Sequence, residues 1–354
     1  MREAVIVSAV RTAIGRQGGT LASIPAHVFG AEVIKEALCR AKVTADMVDD
    51  VILGNVLSGG GNIARLTALQ TGLFLGMPGL TVDRQCGSGI NAINLAAQAI
   101  WAGDGEIFVA GGVESMSRAP YLMDRPEKAY SPMLPSFRKS QSSPVEIGNP
   151  PMGITAENLA KKYQISREEQ DAFSLQSQQR MSKAMEEGRF EEQIVPILVP
   201  TRKGEPIEFK VDEHPRPETT KEGLVKLPAV FLKDGTVTAG SSSGLNDGAS
   251  VVVIMSREKA NQLGITPLAV VRAQAVAGVD PNIMGIGPVP ATQKVLEKAG
   301  LALADMDVIE INEAFASQVL ACDKELKMDP LKVNVNGGAI AHGHPLGATG
   351  AILI

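Results

Sequence analysis

Three residues far apart in this 354-residue chain have the types and settings that nucleophilic catalysis uses: Cys86, Asn312 and His344. Cys86 follows the strand-like run Thr81-Val82-Asp83-Arg84-Gln85 and stands immediately before Gly87-Ser88-Gly89. Beyond it Ile90, Ile93, Ala97, Ile100 and Trp101 recur at helical spacing, so the thiol is expected at a helix N-terminus. The helix dipole and the unpaired N–H groups there favour thiolate, the nucleophilic form. The glycines let a substrate approach the backbone, and the Cys86 N–H can help receive an oxyanion. A small buried thiol in a tight turn fits the same pattern.

His344 lies in Gly343-His344-Pro345-Leu346-Gly347, a setting suited to a positioned base, although a plain loop histidine would look the same. Asn312, in Asn312-Glu313-Ala314-Phe315-Ala316, is expected where a strand passes into a helix. An amide there can orient water or stabilise negative charge without carrying charge. Glu313 is read either as a helix cap or as a group orienting His344. His342 and His344 form a His-x-His pair, but no cysteine or acidic cluster surrounds them, so no metal is expected.

The elements that must position these residues show a faint repeat. A strand at Ala4–Val7, a helix around Val28–Arg40 and a strand at Val51–Val56 make up the first copy. Near residue 290 the order returns, with a helix around Ala291–Ala299 and a strand at Asp305–Asn312. Thr44-Ala45-Asp46-Met47 through Asn55 parallels Leu303-Ala304-Asp305-Met306 through Asn312. Each copy then has a short strand running into a glycine-rich helix entrance, at Thr81–Gly89 and at Lys332–Ala339. This alternation predicts two α/β halves with largely parallel sheets, and it places His344 near the counterpart of Cys86.

Between the halves the composition changes. Residues 117–150 are rich in Pro, Ser and Met, and helical patterns follow near Thr155–Tyr163 and Ser166–Glu187, the second opening on a Ser166/Glu169 capping box. An irregular stretch runs from Thr201 to Pro228. The chain therefore divides into 1–117, the first part of an N-terminal half; 118–245, an inserted substrate-contacting module; 246–265, a return strand; and 266–354, a C-terminal half.

Composition narrows the function. The chain is 44% hydrophobic and 21% charged, with a net charge of −5 and no long basic block, so nucleic acid is a poor partner. No apolar run approaches membrane-spanning length, and the N-terminus shows no signal-peptide pattern. Three cysteines, an odd number, argue against a disulfide framework and for a cytoplasmic protein. Cys39 and Cys322 fall in helical patterns and read as structural thiols, His27 as a helix-entrance residue, and His214, in a charged, proline-rich loop, as a solvent-exposed residue ahead of a ligand contact. A rival enzyme class comes from Gly87-x-Gly89-x-x-Ala92 with Glu114 after the next strand, the pattern of a dinucleotide-binding turn. It leaves Cys86, Asn312 and His344 without a role.

Cys86-Gly87-Ser88-Gly89, Asn312-Glu313-Ala314-Phe315-Ala316 and Gly337 through Pro345 together resemble the thiolase family in order and spacing. Arg11–Gly15, Gly111–Ser117, Met152–Asn158 and Ser243–Gly248 resemble it too, so the likeness runs the length of the chain. The resemblance implies a duplicated five-layer αβαβα core with a loop domain inserted in the first half. It implies acyl transfer: Cys86 takes an acyl group from acyl-CoA with His344 activating the thiol. A second acetyl-CoA then condenses with the acyl-enzyme to give acetoacetyl-CoA, or the reverse occurs. Asn312 would hold a water that stabilises the thioester oxyanion. Ser243 matches the family's pantetheine-contacting serine, Met152, Phe231, Met284 and Phe315 are expected pocket walls, and Arg216 a phosphate contact. Coenzyme A enters as part of the substrate, with no separate cofactor, and self-association as a dimer or tetramer is implied.

Two departures qualify the resemblance. Pro151 replaces the histidine often found before Met-Gly in biosynthetic thiolases, which leaves open a degradative 3-ketoacyl-CoA thiolase for longer chains. The Cys-x-Gly-Gly-Gly segment, whose cysteine moves the α-proton, is absent from the sequence, which ends at Gly350-Ala351-Ile352-Leu353-Ile354. The expectation is a truncated chain in which Cys86 acylation survives and condensation does not. A noncatalytic acyl-CoA-binding or assembly protein is the alternative of another class.

Overall fold

The computed structural model describes residues 2–57, 61–126, 128, 136–138, 141–201 and 204–354, so part of the irregular 117–150 stretch lies outside the described residues. Its main sheet contains β1 (Ala4–Thr12), β2 (Asp50–Gly54), β3 (Gly79–Val82), β4 (Ile107–Ser115), β5 (Asn246–Ser256) and β6 (Ala269–Val271). These run in the order β6-β1-β5-β4-β2-β3. The sheet is mixed, not largely parallel as expected. β4, β2 and β3 are mutually parallel, whereas β5 is antiparallel to both β1 and β4. The reason lies in the chain path: it leaves β4 at Ser115, pairs briefly with Arg11–Thr12 of β1 at Ile194–Val195, and comes back at Asn246 through the gap between β1 and β4. All eleven residues of β5 are buried, as the unbroken run Val251-Val252-Val253-Ile254-Met255 requires of a strand covered on both faces.

Side chains alternate between the two faces. Val51, Leu53, Val109, Val251 and Val253 join Phe29 and Ile34 of α1 (Ala26–Ala41), which with α2 (Ile63–Gln70) covers one side. Ile52, Phe108, Ala110, Val252 and Ile254 meet Ile93 and Ile100 of α3 (Ser88–Ala102) on the other. The excursion carries α4 (Met152–Lys162) and α5 (Arg167–Glu186), the latter opening on the expected box: Ser166 Oγ accepts the Glu169 N–H at 3.1 Å, and Glu169 accepts the Ser166 N–H. The C-terminal region adds α6 (Pro288–Ala299), α7 (Ala316–Leu326), α8 (Ala339–His342) and α9 (Leu346–Ile352).

The expected strand pair of the second copy is reduced to a single parallel bridge, Ile309 to Val333. Asn334 is why it stops there. It sits at φ 44°, outside extended geometry, and its side chain takes over the ladder. Asn334 Oδ1 accepts the Ile311 N–H and Nδ2 donates to the Ile311 carbonyl, both at 2.9 Å. A third bond, Nδ2 to Glu313 at 2.9 Å, fixes the segment that carries Asn312.

At the centre α3 and α9 meet backbone to backbone. A Cβ on Gly89 would lie 2.8 Å from the Gly347 carbonyl and 2.9 Å from the Ala351 N, and one on Gly350 would lie 2.4 Å from the Ile90 N. β4 closes on the same point, since a Cβ on Gly112 would lie 1.8 Å from the Gly347 oxygen. All these neighbours are main-chain atoms and cannot rotate away. Gly112→Ala should therefore lower stability by about 1–3 kcal/mol or more. Gly278→Ala, with open space around its Cβ, should be far milder. Urea denaturation compares the two, and an unshifted midpoint for Gly112→Ala would show that the centre is loosely packed.

Candidate active site

The contact between α3 and α9 brings their N-terminal ends together, and Cys86 and His344 are the residues found there. Cys86 occupies a turn held open by its neighbours. Gln85 adopts φ 49°, rare for a residue with a side chain. Ser88 Oγ holds that turn by accepting the Arg84 N–H at 2.8 Å and donating to the Gln85 carbonyl at 2.6 Å. Cys86 as a residue is only partly exposed. His344 Nε2 lies 3.1 Å from Cys86 Sγ, and Asn312 Nδ2 stands 3.4 Å from the same nitrogen. Asn312 Oδ1 is buried with no partner among the described residues. The three residues singled out in the sequence thus form one cluster.

The ring of His344 has a fixed tautomer. Thr349 Oγ1 donates to the Pro345 carbonyl at 3.0 Å and lies 2.7 Å from His344 Nδ1. With its own proton committed, the hydroxyl can only accept, so Nδ1 carries the hydrogen and Nε2 presents a lone pair to the thiol. That is the arrangement of a base facing its nucleophile.

Electrostatics correct one expectation. The position before α3 was expected to favour thiolate. Burial instead pushes the Cys86 thiol up to about 11, with the Glu114 carboxylate adding to the rise and its own backbone N–H opposing it. Burial, reinforced by His342, pulls the His344 imidazole down to about 3. At neutral pH the resting pair is therefore thiol and imidazole, and charge separates only when the sulfur attacks.

Glu114 and Asn246, neither assigned a positioning role from the sequence, support the pair. Glu114, fully buried, accepts N–H bonds from Val56 at 2.9 Å, Leu57 at 3.1 Å and Gly347 at 3.0 Å. Asn246 Oδ1 accepts the His344 N–H at 2.9 Å. Glu313 does not touch His344. It accepts from Ser177 at 2.7 Å, from Asn334, and from the Ile340 N–H at 3.2 Å, capping the first turn of α8. Asn246 lay inside a recognised motif, its offset from Ser243 the only signal available, and Thr349 lay beyond the motif read around His344.

Of the expected pocket residues, Ser243 and Phe315 lie by the segment that carries Asn312. The Ser243 N–H donates to the Ala314 carbonyl at 3.0 Å. Phe315 meets Phe231 edge to face, with centroids 5.9 Å apart. Phe231 packs on Gly153, next to the exposed Met152 at the start of α4. Met284 lies in the turn Pro281–Ile286, which is tied to α4 by an Asn158 Nδ2 bond to the Asn282 carbonyl at 2.8 Å. Arg216 is exposed, with its backbone N–H on Gln178 of α5 at 3.0 Å.

Other expectations fare differently. His214 is not the exposed residue foreseen: it is half-buried, with Nδ1 3.3 Å from Asn246 Nδ2. Cys322 is buried, its thiol donating to the Gly285 carbonyl at 3.3 Å, whereas Cys39 is exposed on α1. The dinucleotide reading fails on space. The Cβ position of Gly89 is filled by α9, and the Glu114 carboxylate that would hold a ribose is buried among backbone N–H groups. No cluster of three metal-ligating residues occurs among the described residues.

A thiol raised this far should be alkylated by iodoacetamide at a rate that still climbs between pH 7 and 9 as thiolate forms. That rise starts from a slower rate at pH 7 carried by proton transfer to His344. Peptide-resolved mass spectrometry separates Cys86 from the exposed Cys39. A Cys86 rate already flat at pH 7 would mean a resting thiolate–imidazolium pair.

Comparison with known proteins bears on the family and the fold. The chain matches the family description "Thiolase, N-terminal domain" over residues 4–258 and "Thiolase, C-terminal domain" over residues 265–354. It is 52% identical to the acetyl-CoA acetyltransferase of Pseudomonas aeruginosa, covering 99% of this chain and 90% of that protein. Its fold is similar to the crystal structure of the Bacillus anthracis acetyl-CoA acetyltransferase, with a TM-score of 0.94 and 45% identity over 100% of this chain and 90% of that one. It is also similar to human mitochondrial 3-ketoacyl-CoA thiolase solved in complex with CoA, with a TM-score of 0.92 and 44% identity over 99% of this chain and 89% of that one. Matched through nearly its whole length in sequence and in fold, the chain belongs to the thiolase family.

Proposed function

We propose that the protein is an acetyl-CoA C-acetyltransferase that carries the acetyl group on Cys86. The observation that carries this reading is the 3.1 Å approach of His344 Nε2, held as a lone-pair acceptor, to the Cys86 thiol. As Cys86 Sγ bonds to the thioester carbonyl carbon, its proton passes to Nε2. Collapse of the tetrahedral intermediate breaks the bond to the CoA sulfur, and the same proton leaves with the CoA thiol. A neutral pair suits this step, because neither group must be charged before substrate arrives. Asn312, with an uncommitted buried Oδ1, is the residue we assign to holding a water beside the thioester oxygen.

In the family's second half-reaction the α-carbon of another acetyl-CoA, its proton taken by a base, bonds to the acetyl carbon as the bond to Cys86 Sγ breaks. This gives acetoacetyl-CoA, and the reverse sequence cleaves it. Cys86, His344 and Asn312 account for the acetyl-enzyme half, and the base for the α-proton is not among them. Relatives named acetyl-CoA acetyltransferase support the acetyl group as substrate. The wall of Ser243, Phe315, Phe231, Met152 and Met284 is assigned to the pantetheine arm, and Arg216 to phosphate. Residues 118–245 act in this reading as the inserted CoA-contacting module. A family member solved with CoA supports that choice of ligand. Self-association as a dimer or tetramer and a cytoplasmic location belong to the same proposal. No helix among the described residues is long and apolar enough to cross a membrane.

Incubation with acetyl-CoA should leave an acetyl group on the Cys86 peptide. Cys86→Ala should abolish it, and His344→Asn should slow it roughly hundredfold or more. Acetoacetyl-CoA formation is scored separately. A well-folded protein that acquires no acetyl group on Cys86 would overturn the assignment.

A further inference from the structure

We infer that Asn246 and His214 are positioning residues that set the place of His344 against Cys86, coupling the excursion to the reacting pair. This rests on the base–nucleophile reading of that pair and adds to it a support that crosses three parts of the chain. Asn246 is fully buried at the start of β5, and its Oδ1 takes the His344 N–H at 2.9 Å. Its Nδ2 donates to the Gly15 carbonyl at 2.9 Å and faces His214 Nδ1 at 3.3 Å. The amide is thereby oriented: with Nδ2 spent on acceptors, Oδ1 is the only group that can receive the His344 backbone.

Two glycines show how tightly this support is fitted. Gly343, immediately before His344, has φ 98°, and a Cβ there would lie 2.5 Å from the Asn246 side chain. A Cβ on Gly244 would lie 2.1 Å from His214 Cε1. His214 comes from the irregular stretch after α5 and is half-buried beside Asn246. The Asn246 NH2 group can only donate, so His214 Nδ1 is its acceptor. Removing that acceptor lets Asn246 rotate, and the His344 N–H loses its partner. A displacement of a base by about 1 Å costs up to roughly hundredfold in rate.

The test uses the full chain and a reagent that needs no CoA site. His214→Leu removes the acceptor, whereas His214→Asn keeps an oxygen close to the Nδ1 position. Iodoacetamide alkylation of Cys86 at pH 7 should slow about tenfold in His214→Leu and stay within about twofold of the parent in His214→Asn. Cys86 acetylation should show the same contrast in its saturating rate, with the half-saturating acetyl-CoA concentration little changed. Should His214→Leu fail to fold, His214→Gln moves the acceptor one bond outward and should slow alkylation in the same sense. Parent-like Cys86 alkylation in a folded His214→Leu or His214→Gln protein would overturn the inference. So would an effect confined to the half-saturating concentration, which would make His214 a substrate contact. Failure of the acetyl-transfer reading looks different: no acetylation in the parent, with the alkylation contrast intact.

Discussion

The site depends on one steric fact: α3 and α9 touch through glycine backbone, with no side chain between them. Gly89, Gly347 and Gly350 let the two helices close to main-chain contact, and Gly54 and Gly112 let the sheet close on the same point. A residue preceding α3 and a residue preceding α9 then have to be neighbours, although 258 positions separate them in sequence. The polar network follows from that closeness. Glu114 can tie the loop after β2 to the start of α9 only because Gly112 and Gly347 leave no space between strand and helix.

Burying the pair has a chemical consequence. A thiol and an imidazole withdrawn from water are both driven toward their neutral forms, and the nearby Glu114 carboxylate further disfavours thiolate. The structure therefore relies on geometry in place of a preformed ion pair. Thr349 fixes which nitrogen is the acceptor, Asn246 fixes where the ring begins, and Ser88 fixes the turn that presents the sulfur. Each acts through a hydrogen bond whose alternatives are excluded by the group's other commitments.

Much of this was legible in the sequence, and the reasons are local. Helical spacing after Cys86 and the Ser166/Glu169 box report directly on backbone geometry, and α3 and α5 begin where those signals place them. Strands alternating with helices along the chain predicted sheet covered by helices, as β2, β4 and β5 are. Strand direction was not legible, because it depends on where a long excursion returns. Nor was the loss of the second strand pair, which turns on one asparagine at φ 44° substituting its side chain for backbone. The position of Cys86 was read correctly and its charge state was not. A helix N-terminus is visible in sequence, whereas desolvation is set by everything packed around it.

The account stands most directly on the protonation of one ring. Nitrogen-15 spectra of His344, assigned by comparison with His344→Asn, report each imidazole nitrogen separately at neutral pH in the resting protein. One protonated and one unprotonated nitrogen, with the proton on Nδ1, is the result expected of a lone pair held against the Cys86 thiol. Two protonated nitrogens, or a proton on Nε2, would contradict it.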